Sequence, residues 1–232
     1  MSIKSKAKKN NSPFRKTWDF IWNSNSIWSW VVNVIIAFIL IKFIIYPGLG
    51  LVLGTNLPVV AVISESMEHQ VNTYHATQNS VPLDVYNMCG KTYNNTFPIN
   101  FDTWWSECGA WYPPNANISK EEFSKFRFTN GFNKGDLMVL IGKKTSDIQI
   151  GDVVVYSRAT DLAPIIHRVV GKYEVNGKTY FKIKGDNNGE PIFSIQEGIN
   201  ENGLPSDSVI GVAVARIPYL GWVKLGFSQL FS

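Results

Sequence analysis

Cysteine and histidine are scarce in this chain. Two cysteines, Cys89 and Cys108, and three histidines, His69, His75 and His167, occur in 232 residues. None falls at the ligand spacing of a zinc site, so neither a metal nor a cofactor is expected. Charge is sparse as well, at 17% Asp, Glu, Lys and Arg. The net charge of +4 owes much to one short run, Lys4, Lys6, Lys8, Lys9, Arg15 and Lys16 against Asp19. It therefore says little about the rest of the chain and does not argue for a nucleic-acid partner. No internal repeat is visible.

One long apolar run is present. Ile27 to Tyr46 reads IWSWVVNVIIAFILIKFIIY, and about 20 mostly apolar residues suffice for a helix to cross the hydrocarbon core. Lys42 lies near one end, where its stem can snorkel. Trp28, Trp30 and Tyr46 mark the interfaces, and Pro47-Gly48 is expected to stop the helix. The run is too long for the apolar part of a cleaved signal peptide, and no small-x-small site follows it cleanly. The basic flank places the N-terminus on the cytoplasmic side, against anionic lipid, and residues after about 47 outside. The expected location is the cell membrane, with a single pass.

The expected organisation is a basic cytoplasmic tail (1–26), a transmembrane helix (27–46), an extracytoplasmic domain (47–216) and a membrane-interfacial C-terminal segment (217–232). A core helix is the other reading of that last segment. Residues 133 to 216 alternate short β-type runs with turns. Examples are Asp136–Ile141, Asp152–Tyr156 and Ile165–Val170, with Asn176-Gly177 as a hairpin signal. The fold class is mainly β: a β-barrel-like body behind one membrane helix. Residues from about 70 to 132 form an irregular insert rich in Asn, Thr, Pro and aromatics, where only Ser119–Phe126 carries a helix signature. Oxidation outside the cytoplasm would pair Cys89 with Cys108. Asn94 and Asn117 head glycosylation triplets in the same region.

The chemistry centres on Ser66, in Val59-Val-Ala-Val-Ile-Ser-Glu-Ser-Met-Glu-His69. A serine hydroxyl needs a base. His167 lies in an apolar strand-like run, and Asp186 in the turn Lys184-Gly-Asp-Asn-Asn188. Each is a weak signal by itself.

Their order is informative. Ser-x-Ser-Met, Gly151-Asp-Val-Val-Val-Tyr156, Ile166-His-Arg-Val-Val170 and Lys184-Gly-Asp-Asn-Asn188 together resemble type I signal peptidases of the archaeal and endoplasmic-reticulum type. Val209-Ile-Gly-Val-Ala and Ile217-Pro-Tyr-Leu-Gly are also similar to archaeal members. The resemblance implies a membrane-bound serine endopeptidase that removes signal peptides from exported preproteins through an acyl-enzyme. It implies catalytic residues Ser66 (nucleophile) and His167 (general base), with Ser64 and the Ser66 N–H holding the oxyanion. It also implies a hydrophobic surface facing the membrane.

The chain departs from that family twice. Ile192 stands where archaeal members usually carry a second aspartate, so Asp186 is the first choice of acid, with Glu190 and Glu197 as substitutes. His69 replaces a common proline, and the long insert follows. The partners expected are preproteins at the translocation site and membrane lipid, with accessory subunits left open. Two other readings remain: a non-catalytic membrane-anchored binding or assembly module, and a Ser-Lys dyad using Lys184 or Lys172.

Overall fold

The computed structural model describes residues 12–78, 81–158, 162–223 and 226. Lys4, Lys6, Lys8 and Lys9 of the basic tail, and Lys224 in the C-terminal segment, lie outside the described residues. The chain forms two compact units, Met1–Leu49 and Gly50–Ser232.

The first unit is helical. Helix α1 (Pro13–Asn23) starts where Ser12 accepts from the Arg15 N–H and Pro13 occupies the first turn, the position where its missing N–H costs nothing. Phe14, Trp18 and Trp22 recur every fourth residue and form a ring-on-ring stripe. The tail is thus helical over this stretch. Ser29 and Asn33 of the following helix donate to the carbonyls of Phe20 and Ile21, which fixes the α1 turn.

The apolar run is a continuous helix, Ile27–Leu53, long and apolar enough to cross a membrane. It comprises α2 (Ile27–Leu40), a π-turn (Ile41–Ile45) and α3 (Tyr46–Leu53). Pro47-Gly48 does not end it, contrary to the sequence expectation. Proline removes one helical hydrogen bond and crowds the preceding turn. The wider π-turn lies directly before it, and such a turn accommodates that crowding. The helix ends at Gly54, with φ +66°, a left-handed terminus suited to glycine.

The second unit is mainly β. Its strands are β1 (Val59–Ala61), β2 (Asn72–Gln78), β3 (Val81–Met88), β4 (Lys91–Tyr93), β5 (Leu137–Ile141), β6 (Val153–Tyr156), β7 (Ile165–Val175), β8 (Lys178–Lys184), β9 (Phe193–Ser194), β10 (Ile199–Asn200), β11 (Leu204–Pro205) and β12 (Val209–Ile217). Seven of them form one antiparallel sheet in the order β1-β5-β12-β6-β7-β8-β11, curled into a half-barrel. Register shifts in β12 and β7 increase twist and let the sheet curl. Asn176 and Gly177 both take positive φ and turn β7 into β8, as their sequence signals.

The central strand β6 is buried along its length, which accounts for its unbroken Val-Val-Val-Tyr run. One face packs Met67, Phe132, Met138, Leu140, Val153 and Val155. The other packs Ile148, Val154, Tyr156, Val169, Phe181 and Ile183. Burying each such side chain contributes roughly 1.5–3 kcal/mol.

The insert has a core of its own. Strands β2, β3 and β4 form a meander, followed by α4 (Phe101–Cys108), α5 (Tyr112–Ala116) and α6 (Lys120–Ser124). Asn100 caps α4, and Ser119 with Glu122 completes a capping box on α6. Trp104, Tyr112 and Phe123 are fully buried and share a cluster with Val170 of β7. Cys89 and Cys108 are disulfide-bonded, with Cα atoms 5.6 Å apart. After β12, Trp222 folds back onto Gly135. A Cβ there would come within 1.9 Å of the indole nitrogen, and Gly135 has φ +86°, so both space and backbone demand glycine.

Candidate active site

Ser66 lies in the loop after β1. That loop is held from two sides. Met67 is buried in the sheet core, and its carbonyl accepts from the Phe132 N–H at 3.1 Å. The Ser66 carbonyl accepts from the Asn187 N–H at 2.8 Å, and the Asn187 amide donates to the Glu65 carbonyl. Gly185 closes the approach. A Cβ there would lie 2.8 Å from His167 Nε2, Ser66 O and Asn188 Nδ2, so the turn touches the serine and the histidine only because residue 185 has no side chain.

His167 projects from β7, opposite Val154 of β6. Its Nε2 is 2.7 Å from Ser66 Oγ. Its Nδ1 meets Glu201 Oε1 in a short hydrogen bond. Histidine and glutamate are both sealed from solvent. Glu201 is held further by the Tyr156 hydroxyl at 2.8 Å and the Ile192 N–H at 2.6 Å. Burial, then the Glu201 charge, pushes the Tyr156 hydroxyl far above its usual pKa, so it stays protonated and donates to the carboxylate. Ser64 Oγ lies 3.1 Å from Ser66 Oγ.

The other carboxylates named from sequence bond to groups other than His167. Asp186 forms a two-point pair with Arg168, at 2.9 and 2.7 Å. It also accepts from the Tyr112 hydroxyl and meets His69 Nε2 at 3.1 Å. Neighbouring residues in a strand point to opposite faces. His167 and Arg168 are neighbours, so the acid that pairs with Arg168 lies across the sheet from the imidazole. Burial alone would raise the Asp186 carboxyl, but the Arg168 charge and the hydrogen bonds from His69 and Arg168 hold it well below the usual range. His69 stacks flat on Trp104, with centroids 3.8 Å apart. Glu190 accepts from Trp111 Nε1, and Glu197 from Arg158.

Sequence reasoning passed over Glu201. Its signal was faint: one acid in Ile199-Asn-Glu-Asn-Gly203, a stretch that reads as a turn. Ile192 offers no carboxylate, yet its backbone N–H takes part by binding Glu201.

The two lysines of the alternative dyad are engaged apart from Ser66. Lys184 Nζ donates to the Gly185 carbonyl and sits over the Trp111 and Tyr112 rings. Lys172 Nζ donates to the carbonyls of Thr145, Ser146 and Ile148.

An oriented imidazole against a serine hydroxyl can activate that hydroxyl for attack on a carbonyl. No protein-family profile matches the chain. Curated proteins do. The signal peptidase complex catalytic subunit SEC11 of Pyricularia oryzae is 31% identical over 99 residues, which cover 42% of this chain and 57% of that protein. The sec11 subunit of Pyrenophora tritici-repentis is 36% identical over 104 residues with the same coverage. That of Candida tropicalis is 28% identical over 98 residues. The chain is similar to signal peptidase catalytic subunits. It spans a little over half the length of these relatives, 57–58%.

Proposed function

We propose that this chain is a membrane-anchored serine endopeptidase that removes signal peptides from exported preproteins. The observation that carries the reading is the hydrogen-bonded line Ser66–His167–Glu201, in a chain similar to signal peptidase catalytic subunits.

Ser66 is the nucleophile and His167 the general base. Glu201 keeps the proton on Nδ1, so Nε2 is free to accept from Ser66. Ser66 Oγ attacks the scissile carbonyl as its proton passes to Nε2. The Ser66 N–H and the Ser64 hydroxyl stabilise the oxyanion, each by on the order of 3 kcal/mol. His167 then gives the proton to the leaving amine, the C–N bond breaks, and an ester to Ser66 remains. Water, activated by the same imidazole, hydrolyses that ester and restores the serine.

An apolar cavity of about 490 Å³ beside Ser66, walled by Ile63, Val155, Ile165 and Ile166, suits small apolar side chains before the cut. The long apolar helix anchors the protein in the bilayer. The lysine-rich flank supports a cytoplasmic N-terminus and a catalytic domain on the opposite side. The relatives are named as subunits of a complex, which supports work with accessory subunits here.

Preprotein cleavage in membranes carrying Ser66→Ala or His167→Ala tests this reading. Both variants are expected to lose processing. Undiminished cleavage by Ser66→Ala ends it, and retained cleavage by His167→Ala alone points to a lysine base.

A further inference from the structure

Ser66 stands between two cavities of different character. The apolar one is described above. The second, about 560 Å³, has a mixed surface, but polar and charged side chains such as Glu65, Asn87, Lys134, Asn187 and Glu190 make up most of its lining. Ser64, Ser66, Asn188 and Ile192 line both, so an extended peptide reacting at Ser66 can reach each of them. The insert builds the outer wall of the polar cavity with Tyr74 of β2, Asn87 of β3 and Gly90 at the tip between β3 and β4.

We propose that the polar cavity seats the chain segment that follows the scissile bond, and that Glu190 there favours a cationic side chain over an acidic one. The insert is then the part of the protein that reads the released chain. This rests on Ser66 being the nucleophile of a signal-peptide-cleaving enzyme.

The sides follow from chemistry. A leader carries an apolar stretch and small residues ahead of its cut site, and an exported chain is mostly polar after it. Only one cavity matches each half.

The wall is fixed in place. The Cys89 N–H donates to Asn187 Oδ1 at 3.0 Å, and Asn187 holds the carbonyls of Glu65 and Ser66. Gly90 faces Gly189, where an added Cβ would find the backbone 3.4 Å away. The insert therefore meets the serine loop at a set distance.

The charge is specific as well. Glu65, Lys134 and Glu190 are the acidic and basic side chains in the lining. Lys134 Nζ lies 3.7 Å from Glu65 Oε1, which offsets that pair. Glu190 is exposed and makes no ion pair within 4 Å among the described residues. Trp111 Nε1 donates to it at 2.7 Å, which orients the carboxylate, and it is coupled electrostatically to the buried Lys184. Lys182 and Lys184 lie over the Trp111 ring, 5.1 and 5.2 Å from its centre.

The test uses the full-length protein in lipid vesicles and matched leader peptides carrying Lys, Gln or Glu at the first two positions after the cut. The kcat/KM ratio of Lys to Glu peptides is expected to be about three to five, the scale of an exposed ion pair. In Glu190→Gln the ratio should fall close to one, and in Trp111→Phe part of the way. A ratio unchanged in Glu190→Gln, with cleavage proceeding, overturns this proposal and leaves the peptidase reading standing. A Glu190→Gln effect confined to residues before the cut overturns the assignment of sides. Cleavage by Ser66→Ala overturns the peptidase reading itself, whatever the charge preference.

Discussion

Glu201 and His167 share a hydrogen bond inside the protein, with both side chains sealed from solvent. The carboxylate has two further donors, the Tyr156 hydroxyl and the Ile192 N–H. A buried acid held this way cannot turn aside, so the ring it faces is fixed in orientation and tautomer.

Glu201→Gln is therefore expected to lower kcat by about 10²–10⁴-fold, because the amide no longer stabilises the imidazolium. KM should change much less. Steady-state kinetics on a leader peptide check this, with a thermal melt to show that the variant is folded.

Asp186→Asn should act on stability first. It leaves the fully buried Arg168 without its anionic partner. Breaking a buried pair from one side costs about 3–5 kcal/mol. The native carboxyl is held below its usual pKa, so its contribution is present above the ordinary carboxylate range and is lost as pH falls through the lower native value. Urea unfolding of both forms from pH 7 down to pH 3 should show a large gap near neutrality, which starts to narrow as pH drops below the ordinary carboxylate range.

Lys184 titrates in the opposite sense. Burial lowers its pKa to about 8, against the pull of Asp186, Glu190 and Glu201. The unfolded chain binds that proton more tightly, so wild type should gain stability relative to Lys184→Met as pH rises from about 8 to the ordinary lysine range. Denaturation midpoints of the two forms at pH 7 and pH 10 check the sign.

The Cys89–Cys108 bond closes a span of 19 residues around the insert core. Replacing both by alanine should cost about 2–4 kcal/mol, read as a lower melting temperature. The Cys89 group that holds Asn187 against the serine loop is its backbone N–H, which alanine keeps, so kcat/KM below the melting transition should change much less than stability.

Much of this was legible in the sequence. The long apolar helix shows as a nearly continuous apolar run, the half-barrel as short alternating strands, and the β7–β8 hairpin as Asn176-Gly177. Ser66 and His167 show through motif order. Glu201 does not, because it lies far from any motif and its role arises only when β8 and the Ile192 backbone converge on it. Asp186 looked like the acid because it lies in the Lys184-Gly-Asp-Asn-Asn188 turn that follows the histidine strand in the motif order. Strand alternation in β7 gives it to Arg168 instead. The insert looked irregular because its elements are short and its core is aromatic, and neither sets up a clear period. The helix beyond Pro47 was hidden because a π-turn leaves no sequence mark.

The central claim is that Ser66 forms the acyl bond. Acid quench of the full-length protein during turnover of a leader peptide, followed by digestion and mass analysis, tests it most directly. The account predicts the leader fragment linked as an ester to the peptide containing Ser66, and no adduct in His167→Ala. An adduct on another residue, or continued turnover by Ser66→Ala, would contradict it.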